Sequence, residues 1–69
     1  MNRAEFDPER LKRLRARLNL SQQGLAERLG VSMGSVHRWE TGKKVPLRGF
    51  LKQIEALERE VGLGEAKAA

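Results

Sequence analysis

Between Leu20 and Gly42 the chain carries the same set of helix signals twice, with almost nothing between the two sets. Leu20-Ser21 and Val31-Ser32 each place an apolar residue ahead of a serine, whose hydroxyl can accept from the free amides of a first helical turn. Leu25 and Val36 follow at the fourth helical position, where each can staple back onto the apolar residue before its cap. Gly30 and Gly42 then act as closers, because glycine adopts the left-handed conformation that ends a helix. This spacing predicts two short helices joined by about three residues, and so tight a connection makes them cross steeply, as in a helix-turn-helix.

The flanking segments carry similar punctuation. Asp7-Pro8-Glu9 is a helix start, with Asp as cap, proline at the first position and an acid facing the positive dipole end. Helix 1 then runs to about Leu18, with Leu11, Leu14 and Leu18 on one stripe and Asn19 as its stop. Lys43-Lys44-Val45 is a basic loop. Pro46 sets the start of helix 4, or the helix begins nearer Gly49, since glycine lowers helix propensity by about 1 kcal/mol relative to alanine. Leu47, Phe50, Ile54, Leu57 and Val61 form its stripe, and Gly62-Leu63-Gly64 ends it.

No segment alternates apolar and polar residues as a strand does, so the fold class is all-α, a compact bundle of four to five helices. Residues 1–6 are expected to form a flexible arm, 7–63 the folded domain and 64–69 a frayed tail. The expected core is Leu11, Leu14, Leu18, Leu25, Ala26, Leu29, Val31, Val36, Trp39, Phe50, Ile54 and Leu57. Trp39 falls three residues after Val36, on the face opposite Arg38, which assigns it to packing and not to stacking.

Composition narrows the chemistry. The chain has no cysteine and a single histidine, His37, so neither a disulfide nor a thiolate or histidine metal cluster can form, and no cofactor is expected. It offers no nucleophile–base arrangement and too little volume to enclose a substrate, so it is not expected to be an enzyme. Its apolar runs are short and its first five residues are polar, which gives no membrane partner and a cytoplasmic location. The formal charge of +5 is unevenly spread: residues 10–52 hold eleven Lys and Arg against Glu27 and Glu40 alone, a net of +9, while both ends are acidic. Such a block calls for a polyanionic partner.

Leu20-Ser21-Gln22-Gln23-Gly24-Leu25-Ala26-Glu27-Arg28-Leu29-Gly30-Val31-Ser32, continued by Val36, Arg38-Trp39-Glu40, Gly42-Lys43 and Pro46, resembles the phage repressor and Cro family, often called the Xre family, over about residues 10–57. The resemblance implies a lambda-repressor-like fold and a sequence-specific, double-stranded DNA-binding transcriptional regulator, a repressor, associated with a bacterial or phage nucleoid. In that family the second helix of the motif lies in the major groove. The matching positions against base edges are Ser32, Met33, Gly34 and Ser35, with His37 and Arg38 one turn on. Arg38 can fork onto guanine, Ser35 can donate or accept, and Met33 can pack on a thymine methyl. Gly34 has no side chain to read with, whereas the family carries long polar readers at the positions of Met33 and Gly34. His37 is either a contact or merely solvated.

By the same resemblance Gln22, with Gln23 beside it at the start of helix 2, contacts the phosphate backbone, and Thr41, Lys43 and Lys44 grip it from the other side. Lys12 or Arg13 adds to this from helix 1, and Glu40 pairs with Arg15. Leu51 and Leu63 either form a patch for a homodimer on a palindromic site or cap the core. The competing reading is a protein-interaction module of the same fold, an antitoxin, coactivator or adaptor whose main partner is another protein.

Overall fold

The computed structural model describes residues 6–63, which form four helices: α1 (Pro8–Leu18), α2 (Gln22–Leu29), α3 (Met33–Glu40) and α4 (Arg48–Glu60). No strand occurs among the described residues, and the chain is an all-α helix-turn-helix fold. None of these helices is long and apolar enough to cross a membrane.

The three expected caps form. Asp7 accepts from the Glu9 amide, Ser21 from Gly24 and Ser32 from Ser35. Each satisfies an amide that the first turn leaves without a partner, a contribution of about 1 kcal/mol. At the other ends, Asn19 takes a left-handed φ of 60° and Gly30 one of 75°. The Gly30 geometry lets the Val31 amide reach back 2.9 Å to the Ala26 carbonyl, which reverses the chain in a single residue and delivers it to the next cap.

α2 and α3 share the most extensive interface, α3 also packs on α1, and α4 closes the far side against α1 and α2. Leu11, Leu14, Leu25, Val36 and Ile54 are fully buried at the junction. Each contributes roughly 1.5–3 kcal/mol by leaving water. Ala26, Leu29, Trp39 and Leu57 complete the buried set, while Leu18, Val31 and Phe50 are half-buried and pack around it.

Two expectations need correction, the place of Phe6 and that of Leu47. Phe6 belongs to the core and not to a flexible arm: it is 6% exposed, and it stands one residue before the Asp7 cap with Leu11 at the fourth helical position. That is the same staple spacing as Leu20 with Leu25 and Val31 with Val36. Helix 4 starts at Arg48, beside Gly49 as the later of the two expected starts had it, because Leu47 is still extended (φ −69°, ψ 160°) and serves as the N-cap. In that position Leu47 turns away from the stripe and is 73% exposed. The rest of the expected arm, residues 1–5, and the expected tail, 64–69, lie outside the described residues.

Candidate nucleic-acid interface

α3 has two chemically distinct sides. Val36, Trp39 and Glu40 are buried, whereas Met33, His37 and Arg38 are exposed and Gly34 and Ser35 are half-covered. Trp39 meets Phe50 at 5.7 Å between ring centroids with a 43° tilt, so its ring is committed to the core. On the outer side the Ser32 hydroxyl accepts from the Ser35 amide and lies 3.2 Å from the Ser35 hydroxyl, so the two hydroxyls are tied to each other. The guanidinium of Arg38 folds back over the first turn, and its terminal nitrogens lie 3.8 and 3.9 Å from where a Cβ on Gly34 would stand.

The inner side is fixed by a polar network that joins the first three helices. Arg15 donates to both Glu40 oxygens at 2.7 and 3.0 Å, and Gln22 donates to Oε1 at 3.0 Å. Arg15 also reaches the Leu20 carbonyl at 3.2 Å. The Glu40 side chain is 2% exposed. Burial works against its charge, but the hydrogen bonds from Arg15 and Gln22 and the charges of Arg15 and Lys12 outweigh it and hold the carboxyl below its ordinary value. The hydrogen bond to Glu40 in turn raises the Arg15 guanidinium. The Arg15–Glu40 pair thus forms as the resemblance implied, with Gln22 as a third member.

This network changes what the expected phosphate contacts can offer. One Gln22 amide hydrogen is committed to Glu40, which fixes the orientation of that side chain at the start of α2. Gln23 donates to Glu27 at 3.1 Å across an exposed turn, a bond that water competes for readily. Thr41 is the C-cap of α3, and its hydroxyl donates to the His37 and Arg38 carbonyls, so its one proton faces the helix end. A phosphate needs a donor, and Thr41 has none spare in this arrangement. Arg13 lines a cleft between α1 and α4 together with Arg10, Glu55, Glu58, Arg59 and Leu63, and it lies 3.9 Å from Asp7. Lys12 pairs with Glu9 at 3.3 Å, and its charge also helps to hold the Glu40 carboxyl below its ordinary value.

Pairing sorts the basic block in a way that spacing alone does not reveal. Arg10, Lys12, Arg13, Arg15 and Arg28 each have an acid within 4.0 Å, and Arg17 donates to the Val61 carbonyl. Among the described residues, Arg17, Arg38, Lys43, Lys44, Arg48, Lys52 and Arg59 have none. Five of these seven lie together on α3, on the loop that follows it and on the first part of α4. That loop is anchored by the Lys43 and Lys44 amides, which both donate to the Arg38 carbonyl at 3.0 and 3.3 Å. Beside it runs a groove of about 230 Å³ lined by Ser35, Arg38, Trp39, Lys44, Val45, Leu47 and Phe50. Val45 and Leu47 leave apolar surface open there.

Two features of the site escaped sequence reasoning. Arg48, the first residue of α4, is among the cations with no acid partner among the described residues. Arg10 is withdrawn from them by a two-bond pair with Glu58 at 2.8 and 3.0 Å. The available signal was position: both residues flank the apolar stripes of their helices, Arg10 next to Leu11 and Glu58 next to Leu57. Leu51 and Leu63 both pack against the core, which favours the cap over the dimer patch.

A family model described as a helix-turn-helix domain matches residues 9–68. The chain is also similar to the HTH-type transcriptional activator BcrR of Enterococcus faecalis, with 46% identity over 50 residues, which cover 72% of this chain and 24% of that protein. It thus spans about a quarter of the relative's length. No solved structure matches it.

Proposed function

The chain belongs to the helix-turn-helix domain family, and from that premise we propose that it is a sequence-specific regulator of transcription that binds double-stranded DNA with α3 in the major groove. The observation that carries this reading is the run of cations from Arg38 to Lys52, on and just after α3, that have no acid partner among the described residues, while Arg10, Lys12, Arg13, Arg15 and Arg28 are each paired with one. A phosphate backbone alongside α3 would meet Lys43, Lys44 and Arg48 together, and the Gln22 side chain held by Glu40 would approach from the start of α2. Base edges would face Ser32, Met33, Gly34, Ser35, His37 and Arg38, of which Arg38 carries the most donors. Two copies on a palindrome would place their α3 helices about one helical turn of DNA apart.

Selection from random duplexes, followed by a mass measurement of the complex, tests both parts. The expected result is one enriched sequence bound with strong salt dependence; no enrichment and a salt-independent signal would remove the reading. We infer repression as the sign of regulation, since a domain seated on a promoter excludes other proteins from the same duplex. The relative named as an activator supports the opposite sign. A reporter driven from the selected site separates the two by whether output falls or rises.

A further inference from the structure

Neither packing nor backbone geometry requires a glycine at position 34 of α3. Its backbone is ordinary helix, without the positive φ of Gly30, Gly42 and Gly62. Within a helix, glycine is less favourable than alanine. A Cβ built there meets nothing nearer than 3.8 Å, which is ordinary contact, so the neighbours do not exclude a side chain. What they do is occupy the space beyond it. The nearest atoms are the two terminal nitrogens of Arg38 at 3.8 and 3.9 Å and the Ser32 hydroxyl at 3.8 Å.

The direction of helical side chains explains this arrangement. A side chain leans toward the N-terminus and covers the turn before its own Cα, so residue 38 covers the patch above residue 34. Any long side chain on residue 34 would fill that patch first. With glycine there, the guanidinium of Arg38 settles on the opening turn, about 6 Å along the axis from its own Cα, which is close to two base-pair steps. Ser32 and Ser35, the other polar groups on this turn, are bonded to each other and compete little with it.

We propose that Gly34 determines specificity by omission: it leaves the reading position at the start of α3 empty, and Arg38 fills it with a guanidinium that recognises guanine at the base pair facing residue 34. This inference rests on the DNA-binding reading above. It moves the guanine-reading group to the N-terminal end of α3, the end that enters the groove, and gives the missing side chain a purpose. The recognised chemistry is the pair of acceptors on the guanine major-groove edge, which match two parallel N–H donors of a guanidinium.

The test uses the wild-type chain and four variants, Arg38→Ala, Gly34→Ala, Gly34→Gln and Gly34→Gln combined with Arg38→Ala, on duplexes taken from a random-sequence selection. Wild type should favour guanine at one position by about 5- to 100-fold, and Arg38→Ala should abolish that preference. Gly34→Ala should keep it, because a methyl fits in ordinary contact. Gly34→Gln should lose it or shift it along the site, and adding Arg38→Ala to Gly34→Gln should change that position no further. Both residue 34 variants should melt at or above the wild-type temperature, since alanine and glutamine are better helix formers than glycine. A specificity change therefore cannot come from unfolding. If the wild type selects a guanine that depends on Arg38 and Gly34→Gln still selects it unshifted, this inference is overturned while the DNA-binding reading stands. If the wild type enriches no sequence at all, both are overturned.

Discussion

Arg10 and Glu58, 48 residues apart in sequence, meet through two parallel hydrogen bonds of 2.8 and 3.0 Å, and this pair clamps α1 to α4. The Glu58 side chain is 7% exposed and that of Arg10 24%. The guanidinium also lies 5.4 Å from the centre of the Phe6 ring, and the hydrogen bond to Glu58 raises its pKa further above the ordinary value. Removing one partner strands a charge in a largely dry site. Arg10→Ala should therefore lower stability by about 3 kcal/mol, a large share of what a domain this small has in total. Replacing the pair together, as Arg10→Met with Glu58→Leu, should recover most of the loss. Thermal melts of the three proteins check this, and a double variant no better than the single one would refute the clamp.

Glu40 gives the domain an acid-sensitive joint. Its carboxyl is held below the ordinary value of 4.5 in the folded state. Stability from a depressed carboxylate is fully present above the unfolded pKa and is lost as pH falls through the folded one. Wild type should hold a steady contribution from this group near neutral pH and lose it progressively below about pH 4.5. Glu40→Gln should be less stable at neutral pH and should lack this part of the acid response. Chemical denaturation at a series of pH values measures both.

Phe6 should behave as a core residue in spite of its place before the first helix. Phe6→Ala should cost about 3 kcal/mol, at the low end for a buried phenylalanine because residue 6 stands outside the helical frame, ahead of the Asp7 cap, where the site can collapse more readily. Phe6→Leu should restore most of this, since it keeps the apolar area and gives up only the contact with Arg10. Denaturant midpoints of the two variants decide between a packed residue and a loose arm.

The sorting of cations predicts a selective salt response. Replacing Lys43 and Lys44 together with alanine should flatten the log–log salt dependence of duplex binding by about 1.8, since each phosphate neutralised contributes about 0.9. Arg13→Ala should leave the slope unchanged, because Arg13 lies in the α1–α4 cleft beside Asp7. Equal effects from both replacements would show that the charge acts diffusely and not at the loop.

Local signals were legible in the sequence and long-range ones were not. Asp7, Ser21 and Ser32 could be read as caps and Gly30 as a closer, because each acts within five residues of its own position. The Arg15–Glu40 pair came only through the family resemblance, and Gln22 as its third member was not foreseen. Arg10–Glu58 depends on the relative register of α1 and α4, which no local pattern encodes. Phe6 could have been found, since it repeats the staple spacing seen at Leu20 and Val31. Leu47 misled because its apolar character outweighed the helix start one residue later. On the open side of α3 the residue types were legible, but the folding of Arg38 over Gly34 is a matter of side-chain direction.

The division of α3 into a buried side and an open side also bears on how such a chain can change over generations. Val36, Trp39 and Glu40 are held by the core and by Arg15 and Gln22, so substitutions there are penalised through folding. Met33, His37 and Arg38 share no side-chain hydrogen bond with that network among the described residues, so new residues there leave the scaffold intact. The open side of α3 can drift while the architecture persists, and one frame can thus give rise to descendants that present different surfaces.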